Sequence, residues 1–188
     1  MNRNLLILGT GGRGRMVKEI AEAMGIFENI DSLDDNTGYE GAIGLCSDYE
    51  KFAGAYSCAF PACADSKLRM QWIALLEECC FTIPVLIHPT AFISPSASVY
   101  PSTVVEAKAI ISTNSIIERG CIVSVGAIVE HDAFIGYGCH IDSGAIVKEN
   151  CVIKAHTVIE SGKVVTRENL RTPQESLEAN GYSFEVGV

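Results

Sequence analysis

Basic residues are scarce in this chain: 14 Lys and Arg stand against 23 Asp and Glu, a formal net charge of -9 at pH 7. With no basic run anywhere, electrostatics argue against nucleic acid or an anionic membrane surface as the main partner. Long apolar runs are missing too. None approaches the roughly 20 residues of a membrane span, and the Leu5–Leu8 run is too short for an export signal and leads straight into glycines. Histidine is limited to four residues, so imidazole chemistry must rest on His88, His131, His140 or His156. Cysteine is not lacking, with eight in the chain. They are scattered among apolar stretches rather than spaced as the framework of a small secreted domain, which points to free thiols in a reducing cytoplasm. At 48% hydrophobic and 20% charged, the chain suits one or two compact domains.

What the sequence does have is a strict repeat. Every sixth residue from 87 to 165 is Ile or Val, and the residue four places after each is Ala, Ser, Thr or Cys until Lys163 breaks the pattern. A period of six with an aliphatic and a small inward position is the mark of a hexapeptide β-helix. One hexad cannot bury its aliphatic side alone, so hexads must stack, three to a coil of eighteen residues, with coils about 4.8 Å apart as parallel strands. Ile87, Val105, Val123, Ile141 and Ile159 are then expected to form one buried column. Cys121 and Cys139, eighteen apart, should stack as small inward residues. Outward apolar residues such as Ile110, Ile116, Ile122 and Ile128 leave stripes that call for a partner subunit.

Before the repeat, Leu5–Leu8 reads as a buried strand followed by Gly9, Thr10, Gly11, Gly12, Arg13 and Gly14, and then by a helix over residues 15–24. Strand, glycine turn and helix form a phosphate-cradling arrangement, because glycines let backbone approach an anion and the helix N-terminus offers free N–H groups. Asp34 and Asp35 fall about where a nucleotide fold places a carboxylate on a ribose hydroxyl. The same residues could equally serve a tight turn and a solvated loop. After a polar loop, residues 56–60 read as a strand and 66–80 as a helix with Leu68, Trp72, Leu75, Leu76 and Cys79 inward, and 82–87 as a strand entering the repeat. This is half of a doubly wound pattern, enough for one nucleotide and too small for NAD in the usual way.

The glycine-loop domain, then Ile87-His88-Pro89-Thr90-Ala91, then hexads carrying Val129-Glu130-His131-Asp132 resemble the hexapeptide-repeat sugar acetyltransferases with a nucleotide-sugar-binding N-terminal domain, the branch of the bacillosamine N-acetyltransferase and the sialic acid O-acetyltransferase. The resemblance implies an α/β plus all-β chain: a small Rossmann-like domain over 1–84, a left-handed parallel β-helix over 85–165, and a C-terminal tail or cap over 166–188. It implies a homotrimer with active sites between subunits, acetyl-CoA as co-substrate and a nucleotide-sugar as substrate. It places the general base at His131 with Asp132 beside it, acetyl-CoA against His140 and Gly144, and the sugar nucleotide against Gly11, Gly12, Arg13, Asp34 and Asp35. The family's glycine loop usually carries His where this chain has Arg13, and relatives usually carry more coils after this repeat.

The chemistry asks for such a pair. An incoming amine or hydroxyl must lose a proton as it attacks a thioester, which suits a neutral imidazole, and a carboxylate on its other nitrogen fixes the tautomer. Glu130 is an alternative partner for His131. His88 reads as a turn residue, and His156 has no assigned role. The competing reading is a non-catalytic nucleotide-sugar-binding trimer in which the repeat is only scaffold. A zinc-dependent carbonic anhydrase would need three converging histidines, and the spacings of His131, His140 and His156 match no recognised metal site.

Overall fold

The computed structural model describes residues 3–36 and 41–167. Its N-terminal part is a parallel sheet in the order β2-β1-β3, made of β1 (Leu5–Leu8), β2 (Ile30–Leu33) and β3 (Cys58–Pro61). The sequence Leu5-Leu6-Ile7-Leu8 is apolar throughout because the central strand is covered on both faces, and all four residues are buried. Pro61, which lacks an N–H, closes β3 at the sheet edge. Two elements are absent from the sequence reading: β2, and a 3-10 helix at Cys46–Phe52 in the stretch read as polar loop. The strand expected over 82–87 is reduced to an isolated bridge from Thr82 to Cys58 and the two residues Leu86–Ile87.

Helix α1 (Gly12–Met24) begins three residues before its expected start, since glycines that can adopt helical angles leave nothing to stop it until Gly11. Helix α2 (Ser66–Glu78) buries Leu76 and packs Trp72 and Cys79 against the core as expected, but its buried face is rotated from the one expected. Leu68 and Leu75 are exposed, while Arg69, Ile73 and Leu76 face inward. The physical reason is Arg69. Its guanidinium, almost wholly buried, donates from Nε to the Gly120 carbonyl (2.8 Å), from Nη1 to Cys63 and Ala64 (3.0 and 2.9 Å), and from Nη2 to Gly138 (3.0 Å). Carbonyls replace the water a cation would lose, so a charged residue becomes the bolt between α2 and two successive coils of the repeat.

The repeat folds as a parallel β-helix. Its two-residue strands, from Leu86–Ile87 to Val164–Val165, pair with those eighteen residues away and make three flat faces. Face one stacks Leu86–Ile87, Val104–Val105, Ile122–Val123, His140–Ile141 and Val158–Ile159. Face two stacks Phe92–Ile93, Ile110–Ile111, Ile128–Val129, Ile146–Val147 and Val164–Val165. Face three stacks Ser98–Val99, Ile116–Ile117, Phe134–Ile135 and Val152–Ile153. The second residue of each strand points inward, and Val105, Val123 and Ile141 are fully buried, as are the small residues Ala109, Ser115, Cys121, Ala127, Cys139 and Ala145. Cys121 and Cys139 stack as expected and are free thiols, each directed at a carbonyl, Gly136 (3.2 Å) and Lys154 (2.9 Å) respectively.

The outer sides of the faces differ. On face one, Leu86, Val104 and Ile122 belong to the core of the N-terminal part, so Ile122 is covered within the chain and does not join an outward stripe as expected. Past that cover lies His140, and then the exposed Val158. Most of the region read as a C-terminal tail or cap, residues 168–188, lies outside the described residues.

Candidate active site

From residue 102 to residue 162 the corners of the β-helix turn through a residue with positive φ that recurs every six residues. Gly, Asn and Asp fill most of these positions, as the left-handed region prefers. Asp132 is one of them, with φ 57°. In an extended strand adjacent side chains point to opposite sides; the left-handed corner instead lets His131 and Asp132 project together. His131 Nδ1 lies 2.7 Å from Asp132 Oδ2, with both side chains about half exposed. Asp132 also accepts a hydrogen bond from Asn114 Nδ2, one coil earlier, at 3.2 Å. The bond to His131, then that from Asn114, holds the Asp132 carboxyl below its ordinary range. In the neutral ring, an ionised carboxylate on Nδ1 keeps the proton there and leaves the lone pair on Nε2.

Glu130, the alternative partner, is engaged elsewhere: Lys148 Nζ, one coil on, lies 2.6 Å from its Oε1, and the Glu149 backbone N–H donates to its Oε2 at 3.3 Å. Below this corner a shallow hollow of about 290 Å³ is lined by Lys148, Glu149, Thr166 and Arg167. By register, Glu149 and Arg167 stand one and two coils beneath His131.

His140 lies on face one, on a different side of the β-helix from the His131 corner, so a single subunit does not bring the two together. Its Nε2 is 3.0 Å from Ser124 Oγ and 3.6 Å from Asp142 Oδ1. Burial, aided by the nearby Arg13 guanidinium, lowers its pKa, so the ring is neutral near pH 7. Gly144 stands at an exposed corner with φ 66° and open space around its Cα. His156 is fixed by Ser66, whose Oγ lies 2.6 Å from its Nδ1. Among the described residues no group of three or more His, Cys, Asp or Glu is arranged to hold a metal ion.

The glycine turn separates into two kinds of position. A Cβ on Gly14 would lie 1.9 Å from the Gly9 carbonyl oxygen, so this glycine is required by packing of helix against strand. Gly11 and Gly12 face open space at the start of α1, and no side chain caps the helix, which leaves N–H groups available to an anion. Arg13 Nη1 is paired with Glu106 of the β-helix at 3.3 Å. Asp35 accepts from the Cys46 backbone N–H (2.9 Å). Asp34 accepts from the Thr10 backbone N–H (2.6 Å), the Thr10 hydroxyl (2.8 Å) and the Asn36 N–H (2.8 Å), tying the end of β2 to the glycine turn.

Burial alone would raise the Asp34 carboxyl, but the bonds from Thr10 N–H, Asn36 N–H and the Thr10 hydroxyl outweigh it and leave the pKa lowered. Because the folded value lies below the unfolded one, the stabilisation is present above the ordinary carboxyl pKa of about 4 and is lost as pH falls through the lowered value. Asp34→Asn should therefore cost about 1–2 kcal/mol at neutral pH. Urea melts of the two proteins should converge in acid, and an equal gap at every pH would show that the charge plays no part.

The sequence reading misses Glu106, Ser124 and Arg69. A signal for the first two is present: on face one the residue after each inward aliphatic is polar, running His88, Glu106, Ser124, Asp142 and Glu160.

A hexapeptide β-helix that follows a glycine-turn α/β unit is the architecture of acyltransferases of the left-handed β-helix class, and the comparisons with known proteins agree. Residues 4–76 match the PglD N-terminal domain family. The acetyltransferase domain of PglB from Neisseria gonorrhoeae superposes with a TM-score of 0.77 at 28% identity, over 88% of this chain and 92% of that one; the same domain in complex with acetyl coenzyme A gives 0.74 at 28%, with the same coverage. A variant of GDP-perosamine N-acetyl transferase from Caulobacter crescentus, in complex with CoA and GDP-perosamine, shares the fold with a TM-score of 0.77 at 24% identity, over 87% of this chain and 88% of that one. No curated protein matches the sequence at a significant level. The expected shortfall of coils is not seen against the PglB domain, since 92% of that chain is covered.

Proposed function

We propose that the protein transfers an acetyl group from acetyl-CoA to an amine or hydroxyl of a nucleotide-linked sugar, with His131 as general base, and that it works as a homotrimer. The observation that carries this reading is the His131-Asp132 pair. Nδ1 is held by a carboxylate, so Nε2 is the free acceptor, and the attacking group must lose its proton to such an acceptor as the thioester carbonyl turns tetrahedral. Asp132 orients the ring and stabilises the imidazolium. The N–H groups of Gly11 and Gly12 are suited to the diphosphate of the sugar nucleotide, and Asp34 and Asp35 shape that turn. His140 and Gly144 are suited to CoA, and Arg167, in the hollow that Lys148 and Glu149 also line, offers a cation to its phosphates.

The trimeric reading is supported by face two, whose outward residues Phe92, Ile110, Ile128, Ile146 and Val164 form an unbroken apolar stripe. Phe92 is 58% exposed and Val164 47%. Such a stripe is costly in water and is satisfied by the same surface of identical chains under cyclic symmetry. The His131 corner directly follows strand Ile128–Val129 of this face, so closing the stripe would turn an exposed histidine into the wall of a groove between subunits. Ile110→Asp should give a folded monomer in sedimentation and lose most transferase activity. A monomeric wild type at micromolar concentration would remove this model of the site.

The test of the activity is release of free CoA thiol in the presence of candidate nucleotide-linked amino sugars. Turnover supports the reading. Nucleotide-sugar binding without turnover on any sugar would favour the scaffold reading instead.

A further inference from the structure

The polar column on face one runs beneath Arg13 and against the ring of His140. Glu106 is only 4% exposed, yet both its oxygens are engaged. Oε1 faces Arg13 Nη1 and accepts from Ser124 Oγ, each at 3.3 Å, and Oε2 accepts from the Val125 backbone N–H at 3.1 Å. Ser124 has one hydroxyl proton. Once that proton is donated to Glu106, the lone pairs of Oγ face His140 Nε2 at 3.0 Å. Such a contact is a hydrogen bond only if Nε2 carries the proton. The second polar group near Nε2 agrees independently: Asp142 Oδ1, at 3.6 Å, belongs to a carboxylate whose pKa is lowered by Ser161 and the Ser143 N–H, so it too can only accept. Nδ1 of His140 makes no hydrogen bond among the described residues.

We propose that Glu106, acting through Ser124, is a positioning residue that holds His140 in its Nε2–H form, so that Nδ1 is the lone pair offered to an amide or hydroxyl hydrogen of a ligand at this face. Burial and Arg13 keep the ring neutral, as a tautomeric choice requires. Arg13 also ties Glu106 to the start of α1, so the orientation of His140 is set from the glycine turn. The chemical use of Nδ1 rests on the acetyl-transfer reading; the proton's position does not.

The test is the imidazole 1H–15N correlation spectrum of the full, 15N-labelled chain at neutral pH, with His140 assigned from the signals lost in His140→Gln. The wild type should show the Nε2–H pattern. In Glu106→Leu the acceptor for the Ser124 hydroxyl is removed, so Ser124 becomes free to donate to His140 Nε2. The ring should then lose its preference for Nε2–H and shift toward the Nδ1–H form. Ser124→Ala should give a mixture of tautomers, and Ser124→Thr, which restores a hydroxyl, should return the Nε2–H form. Melting curves identify any variant that fails to fold, and the Ser124 pair carries the test if Glu106→Leu does. An Nδ1–H pattern in the wild type, or an unchanged tautomer in the folded Glu106 and Ser124→Ala variants, overturns the proposal. A chain that released no CoA thiol with any sugar would defeat the acetyl-transfer reading and leave this measurement to stand on its own.

Discussion

His131→Ala is expected to lower the rate of acetyl transfer by about 10²–10⁴-fold, the usual contribution of a positioned general base, with little change in the affinity for nucleotide-sugar. The split follows from where the groups lie. His131 is on an exposed corner of the β-helix, its ring bonded among the described residues only to Asp132, so removing the side chain leaves no buried partner unpaired and no cavity. The sugar nucleotide, on the proposed reading, is held by N–H groups of Gly11 and Gly12 in another part of the chain. Losing a base that acts only as the proton moves should reduce kcat and kcat/KM together. Asp132→Asn should cost less, because it keeps a side chain suited to the left-handed corner and leaves the imidazole in place, while removing the charge that stabilises the imidazolium. Asn can also present an NH2 group to Nδ1, which would move the ring proton to Nε2 and occupy the atom needed as acceptor, so a measurable loss is still expected. The assay is thiol release under saturating sugar and acetyl-CoA. Equal rates for wild type and His131→Ala would sink the assignment.

The β-helix was legible because its order is nearly one-dimensional. Each coil contacts only its neighbours, so a period of six in the sequence becomes a register of eighteen in space by arithmetic alone, and the Ile122–Val123 strand pairs with Val104–Val105 and His140–Ile141 as counting requires. The N-terminal part has no such periodicity. Strand β2 reads Ile-Asp-Ser-Leu, and its polar pair hides it from any apolar pattern; Asp31 is satisfied by the Tyr56 hydroxyl at 2.7 Å, and Ser32 is buried. Helix α2 misled for a related reason. Placing Leu68 and Leu75 inward rotates the helix, and only the carbonyls of Gly120 and Gly138 on the neighbouring coils explain why the cation of Arg69 is inward instead. The site divides along the same line. His131 and Asp132 are adjacent in sequence and the corner geometry recurs, so their pairing can be anticipated. Glu106 and Ser124 stack beside His140 by the same eighteen-residue register; what only the fold discloses is that the N-terminal part covers face one as far as Ile122 and leaves His140 beyond it.

Val123→Asp is expected to abolish soluble folding. Val123 is fully buried in the middle of its column, between Val105 and Ile141, which are equally buried. The interior there is lined by aliphatic and small residues, and the backbone N–H and C=O groups of the coil are committed to the coils on either side. A carboxylate would therefore meet neither water nor a cation, and even after relaxation the penalty for burying an ion is several kcal/mol. The only escape is to open the stack. That breaks the pairing on both sides, in an architecture whose stability is the sum of its neighbour contacts and whose total margin is of the order of 5–15 kcal/mol. Val123→Ala, which removes two methyl groups without adding charge, should cost only about 2 kcal/mol and remain folded. Ile110→Asp separates position from chemistry: the same carboxylate placed one residue before the inward Ile111, on the outer side of face two, reaches water and should leave the chain folded. Soluble fraction and far-ultraviolet circular dichroism of the three variants decide the matter. A folded, soluble Val123→Asp protein would mean that the second residue of each strand does not point into the β-helix.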